Sequence, residues 1–174
     1  ALHRVFDSPT DKIVFDVSHQ CYPHKMLTGR IRAYVDEAHY DDVSGYTEPS
    51  ESPHDHFIVG HTSTSVSLAT GLAKARVIGD GSLSGGEAFE GLDNAAEQGT
   101  NLIVVFNDNQ MSIAEPHGGL YASLARLRAT NGEDPCNFFK AMGFDYVYVA
   151  DGNDEAAVEA AFRRVKDAPR PVVV

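Results

Sequence analysis

The chain has 174 residues, 43% of them hydrophobic, which is enough for one ordinary domain with a real core. Its formal charge of −11, from 14 Lys+Arg against 25 Asp+Glu, argues against nucleic acid as a partner, because a phosphate backbone selects basic surfaces. Two cysteines cannot make a disulfide framework and suit a reducing cytoplasm. No apolar run approaches the roughly 20 residues a bilayer span needs, and the first dozen residues lack a signal-peptide layout.

In chain order, residues 11–17 (DKIVFDV) read as a buried strand. Residues 22–30, with Pro23 and Gly29, read as a loop with a helical turn, and 31–38 as a brief helix. Residues 41–61 are rich in Asp, Ser, Pro and Gly without periodicity. They predict a long loop, a length usually tied to function or mobility. Thr62 or Ser63 then caps a small-residue helix over 64–76. That helix runs straight into a strand of only Val77 and Ile78, whereas buried strands need about five residues and helix-to-strand connections about two to six more. The junction therefore reads as short of residues.

Further on, 87–98 is an expected helix stopped by Gly99 as its cap, and 102–106 (LIVVF) an expected central strand. Residues 111–132 read as loop-rich with a helix at 121–128. A helix at 135–142, a strand at 145–149, an amphipathic helix at 155–167 and a strand from 171 follow. Strand and helix alternate without repeats, which predicts an α/β fold: a doubly wound, mostly parallel sheet with helices on both faces.

Chemistry is expected at the carboxyl ends of two strands. Gly79-Asp80-Gly81 follows one strand, and 25 residues later Asn107-Asp108-Asn109 follows the next. In open α/β sheets ligands bind at this edge. Mg²⁺ takes about six oxygens, with one or two carboxylates and the rest from phosphates, water and neutral donors. Asp80 can supply a charged oxygen, Asn109 a neutral one and the Met111 carbonyl a third. A helix opening near Gly86 turns unpaired N–H groups toward an anion. Gly, Asn and Asp are also ordinary turn residues, so the triplets alone leave both readings open.

Among the eight histidines, His54, His56 and His61 lack the regular spacing of a zinc signature and read as incidental to a solvated loop. His19 follows a strand end directly, where an imidazole can donate to a phosphate or shuttle protons, or simply cap the strand. Residues 60–65 (GHTSTS) form another Gly-plus-hydroxyl turn that opens a helix. Asp7, Asp16, Glu48, Glu51 and Asp93 have no evident catalytic partner and read as solvated or structural.

GDG followed by NDN resembles the thiamine-diphosphate motif of transketolase-like enzymes. The blocks DVSHQCYPHKMLTGR, SGYTEPSESPHDHFIVGHTSTS, IGDGSLSGGEAFEGLDNA and VVFNDNQMSI, in that order over most of the chain, resemble 1-deoxy-D-xylulose-5-phosphate synthases. The resemblance implies a thiamine-diphosphate- and Mg²⁺-dependent transferase that joins pyruvate, after loss of CO₂, to glyceraldehyde 3-phosphate. It implies Mg²⁺ on Asp80, Asn109 and the Met111 carbonyl, and diphosphate against Gly81, Ser82 and Asn109. Gly60, His61 and Thr62 would lie at the cofactor, with His19 as the active-site histidine. It further implies a cytoplasmic homodimer, with residues 1–174 an incomplete diphosphate-binding domain and the pyrimidine-binding and C-terminal domains outside this chain. Ser18 and Cys21 depart from the common Gly and Ala of the HQ block. That leaves room for a divergent transketolase-like enzyme with another ketose and aldehyde, or for a non-catalytic diphosphate-binding remnant.

Overall fold

The computed structural model describes residues 1–72, 75–110 and 117–174. Five strands form one sheet: β1 (Lys12–Phe15), β2 (Ala75–Gly79), β3 (Ile103–Phe106), β4 (Asp145–Tyr146) and β5 (Val172–Val173). Their spatial order is β1-β2-β3-β5-β4 and every pairing is parallel. The helices are α1 (Leu2–Val5), α2 (Tyr22–Lys25), α3 (Arg32–Val35), α4 (Ser65–Thr70), α5 (Gly86–Gln98), α6 (Gly119–Ala129), α7 (Phe138–Ala141) and α8 (Glu155–Val165).

Alternation along the strands sorts the core. Val14, Val77, Val104 and Val173 face one side, where Val66 and Ala69 of α4, Ala88, Leu92 and Ala95 of α5, and Leu124 and Leu127 of α6 close over them. Ile103 and Val172 face the other side, against α1 and Phe162 and Val165 of α8. The strand order explains this division. Right-handed crossovers from β1 to β2, to β3 and out to β4 lay α4, α5, α6 and α7 on one face, while α2, within the first of them, packs on the other against Phe15. The step from β4 back to β5 runs the opposite way and must place α8 on the other.

Several elements are shorter than the sequence predicts. The helix expected over 64–76 ends at Thr70, with Gly71 at its C-cap, and β2 begins at Ala75. The strand is thus five residues rather than two, and Arg76 belongs to it. The Ala-rich run reads as helix past Gly71, but Arg76, whose buried Nε has no partner among the described residues, sits in the sheet with both Nη atoms hydrogen-bonded. It donates to Ala75 O (3.0 Å), Asn101 O (3.2 Å), Lys166 O (3.2 Å) and Asp11 Oδ1 (3.3 Å), and lies 4.7 Å from the Phe6 ring centroid. Helix α3 is only four residues long, and a 3-10 turn (Glu37–Asp42) completes the stretch read as a brief helix. The long loop expected at 41–61 does lack regular elements beyond that turn. Helix α5 opens at Gly86 and stops at Gly99 (φ +60°), as its pattern predicts.

That loop is held from below by buried charges, which corrects the reading of His54 and His56 as incidental to a solvated loop and selects the structural reading of Glu51, while His61 is exposed. Lys25 is fully buried and donates to Ser44 O (2.7 Å) and Tyr46 O (2.5 Å), with Glu51 Oε2 at 2.8 Å. Arg30 spans Asp55 with two bonds (2.6 and 2.9 Å) and reaches Glu51 at 3.2 Å. His24 lies 3.3 Å from Asp55 and 2.9 Å from His3, while His54 pairs with Ser8 at 2.9 Å. Burial alone would raise the Asp55 carboxyl, but Arg30, His24 and the Glu48 N–H outweigh it and hold it well below the usual carboxylate range. Burial lowers His3, His54 and His56, helped by neighbouring positive charge: the His24 and His54 rings at His3, the His24 ring and Arg30 at His54, Lys12 at His56.

Two outcomes follow. Arg76→Ala removes the ion-pair partner of the buried Asp11 carboxylate, which keeps among the described residues only its bond from Asp7 N, and a donor to three carbonyls, so it should cost about 3–5 kcal/mol of unfolding free energy in denaturant titration; a loss under about 1 kcal/mol would contradict the role given to the guanidinium. For pH, the depressed histidines bind protons more readily unfolded than folded. Their contribution is complete above about pH 6.5 and is lost below it, and that of Asp55 is lost further down, below about pH 4. The melting temperature should therefore fall between pH 7 and pH 5, less steeply in a His54→Gln/His56→Gln variant. A flat profile in the parent protein would refute the assignment.

Candidate functional site at the carboxyl edge

Parallel register brings three strand ends together. Phe15 stands opposite Ile78, and Gly79 opposite Phe106, so Asp16, Asp80 and Asn107 leave the sheet on one edge. Backbone bonds extend the ladder beyond the strands: Asp16 N donates to Ile78 O and Asn107 N to Gly79 O, both at 2.8 Å. The two triplets singled out in the sequence therefore touch through their main chains.

Asp16, read from sequence as solvated or structural, is a buried junction. Its side chain is inaccessible to solvent, and each oxygen takes two donors. Oδ1 accepts from Ser65 N (3.1 Å) and Ser65 Oγ (2.5 Å); Oδ2 accepts from Ser63 N (2.8 Å) and from Ser82 Oγ. One carboxylate thus ties the 60–65 turn to the turn after Asp80. Ser63 also donates from Oγ to Ser82 O (2.5 Å) and holds a left-handed φ of +74°, which non-glycine residues rarely adopt. Gly85 makes this approach possible, since a Cβ there would sit 2.0 Å from Ser63 Oγ.

Asp80 caps the 3-10 turn (Gly81–Ser84), accepting from Ser82 N at 3.0 Å through Oδ1. Its Oδ2 takes no hydrogen bond from any described residue. Gly81 is buried and its carbonyl accepts from Ser84 Oγ at 2.7 Å. Ser82, an expected diphosphate contact, has both donors engaged, N–H to Asp80 and O–H to Asp16. Asn107 and Asn109 are exposed, while Asp108 turns aside to an ion pair with Arg128 of α6 and accepts from Gln110 N (3.1 Å). Met111 lies outside the described residues. Gly60, His61 and Thr62 are exposed beside the buried Ser63; His61 Nδ1 lies 2.8 Å from Thr62 O, a carbonyl that can only accept, so Nδ1 is the donor. His19 is exposed in the 3-10 turn (Ser18–Cys21), three residues past Asp16, and among the described residues no hydrogen bond or ion pair ties it to the others.

A cleft of about 620 Å³ flanks the other side of the 107–109 turn, with Phe106, Arg128, Phe139, Tyr146 and Tyr148 in its wall. No residue of the 60–65 or 80–82 turns lines it, so the two features share only β2, β3 and their ends. Among the described residues no group of three His, Cys, Asp or Glu side chains is poised for a metal. The expected donor set is of another kind, one carboxylate with neutral oxygens. A half-exposed Asp80, one of whose oxygens no described residue engages, at the same sheet edge as the 107–109 turn, fits a hard cation that arrives with its own phosphate oxygens.

This fold and edge define an α/β protein with the ends of three parallel strands on one edge. The sheet superposes on a crystal structure of a transketolase mutant from Pichia stipitis with a TM-score of 0.62, over 94% of this chain and 28% of that one, at 19% identity, which establishes the fold. The family described as 1-deoxy-D-xylulose-5-phosphate synthase matches residues 1–134, and the chain belongs to that family. It is 39% identical to the 1-deoxy-D-xylulose-5-phosphate synthase of Desulfitobacterium hafniense and 43% identical to that of Myxococcus xanthus, in each case across the whole of this chain. The chain spans 35% and 31% of those proteins, about a third of their length. The first alignment runs over 221 residues, 47 more than the 174 here, so that relative has residues within the matched stretch that lack counterparts in this chain.

Because Gly85 admits Ser63, Gly85→Ala should push the Ser63 hydroxyl off Ser82 O and loosen the 60–65 turn. Amide hydrogen exchange at Ser63 and Ser65 should accelerate by at least tenfold while the β2–β3 ladder keeps its protection; unchanged exchange would show that the close approach is not needed.

Proposed function

We propose that the protein bearing this chain is a thiamine-diphosphate-dependent transferase that forms 1-deoxy-D-xylulose 5-phosphate and CO₂ from pyruvate and glyceraldehyde 3-phosphate, with residues 1–174 as its diphosphate-binding part. The observation that carries this reading is the meeting of the 79–81 and 107–109 turns on one sheet edge, through the bond from Asn107 N to Gly79 O (2.8 Å), within a chain of this family. The coenzyme, when bound, supplies a carbanion-stabilising thiazolium; the protein supplies binding, orientation and electrostatics.

On this reading Asp80 offers the cation its unengaged oxygen, Asn109 its amide oxygen and Met111 its carbonyl, while Gly81 lets the backbone come close to the diphosphate. Ser82 can donate to a phosphate only by releasing Asp80 or Asp16, so its part is to hold the turn unless the ligand displaces one of them. His61, with Gly60 and Thr62, borders the cofactor, and the exposed His19 stands where an imidazole can pass a proton to or from a reacting carbonyl. The pyrimidine-binding and C-terminal domains would be supplied by sequence outside this chain, and the assembly would be a cytoplasmic homodimer feeding isoprenoid, thiamine and pyridoxal phosphate synthesis. Nothing in the composition calls for nucleic acid, and no helix among the described residues is long and apolar enough to cross a membrane.

Asp80→Ala removes the single charged ligand of this set. In calorimetric titration with thiamine diphosphate, the parent protein should bind only with Mg²⁺ present, and the variant should lose at least 100-fold in affinity. Equal affinity in the two proteins would rule Asp80 out as the cation ligand.

A further inference from the structure

We propose that Asp16 is a positioning residue, whose buried carboxylate sets the 60–65 turn against the 80–82 turn and so gives the diphosphate cradle its shape. The inference rests on the diphosphate-binding reading above and adds to it a residue that touches no ligand. Asp16 is fully buried, so it can act only through what it holds.

What it holds is specific. A carboxylate offers about four lone-pair sites, and here four donors occupy them: Ser65 N and Oγ on one oxygen, Ser63 N and Ser82 Oγ on the other. Oδ2 bridges the two turns directly. No salt bridge offsets its charge among the described residues, so the four donors, which bond more strongly to a charged acceptor, carry that task. They also impose a conformation, because Ser63 stays left-handed only while its N–H points at Asp16 and its hydroxyl at Ser82 O.

An asparagine in this place keeps the shape and loses the match. Its amide oxygen can serve one pair of donors, but its NH₂ then confronts the other pair, and one turn must let go. The strand itself need not suffer. β1 is anchored by its register with β2 and by the main-chain bond from Asp16 N to Ile78 O, which the substitution leaves intact.

The test compares the purified parent protein with Asp16→Asn, using inorganic diphosphate with Mg²⁺ as the probe in calorimetry and amide hydrogen exchange as an independent readout. The expected result is at least a tenfold loss of affinity, with faster exchange at Ser63 and Ser65 and unchanged exchange at Val77 and Val105. A folded variant that binds magnesium diphosphate as tightly as the parent would overturn the positioning role alone. Failure of the parent itself to bind would overturn the diphosphate reading and this inference with it. Should Asp16→Asn not fold, Ser82→Ala cuts the same link, because that hydroxyl is committed to Asp16. It should weaken binding, and Ser82→Thr, which restores the hydroxyl, should recover it; full affinity in Ser82→Ala would again overturn the role.

Discussion

A carboxylate with no solvent access and four neutral donors fixes the geometry of this sheet edge. Burying a charge is expensive unless every lone pair is met, so the surroundings of Asp16 cannot drift without leaving it unpaired. That penalty turns three loops of ordinary turn residues into one rigid unit. β1 delivers the carboxylate, the 60–65 turn brings two amides and a hydroxyl, and the 80–82 turn brings another hydroxyl. The left-handed Ser63 is the strain the arrangement stores, and the missing side chain at Gly85 is the space it requires.

The blocks that carry the family likeness divide into two physical jobs. YPHK and LTGR lie in a stretch that the sequence shows only as a loop with a helical turn, just after His19. In the fold, His24, Lys25 and Arg30 turn inward to Asp55, Glu51 and the carbonyls of Ser44 and Tyr46. Their work is to pin a long loop lacking regular structure, and with it the approach of the chain to Gly60. The GDG and NDN blocks do the reverse, leaving Asp80 half-exposed and Asn107 and Asn109 exposed at the strand ends. A signature in sequence therefore marks a demand for particular residues, and only the fold tells whether chemistry or packing makes the demand.

What could be read in advance was whatever local pattern controls. Buried parallel strands show as apolar β-branched runs, and Gly99 ends α5 because only a left-handed cap fits there. From strands of known polarity, the sharing of one edge by Asp80 and the 107–109 turn follows almost without further information. The helix over 64–76 was misread because Ala75 and Arg76 resemble a helical tail; the partners that place Arg76 in a strand, Asp11 and Lys166, lie 65 and 90 residues away. For the same reason the sequence leaves Asp16 between a solvated and a structural reading, its donors being 47, 49 and 66 residues distant. One signal was available: an acid directly after an apolar strand, at an edge where two Gly-plus-hydroxyl turns, 60–65 and 79–82, converge.

The make-up of the edge also bears on how a cation and a diphosphate would share it. With Asp80 the one carboxylate in the expected set, the protein offers Mg²⁺ little charge, and this ion surrenders its water reluctantly. Asp108 adds nothing, since Arg128 neutralises it, and Asp16 is closed off by its four donors. A diphosphate alone fares no better beside a chain of net charge −11, where main-chain groups rather than cations are the donors the reading proposes at the turns. Each ligand therefore supplies the charge the other needs, and linkage makes the effect reciprocal. On the reading proposed, cation and anion enter as one unit, and the rigidity imposed by Asp16 matters because a cradle of main-chain groups cannot compensate for misplacement with charge.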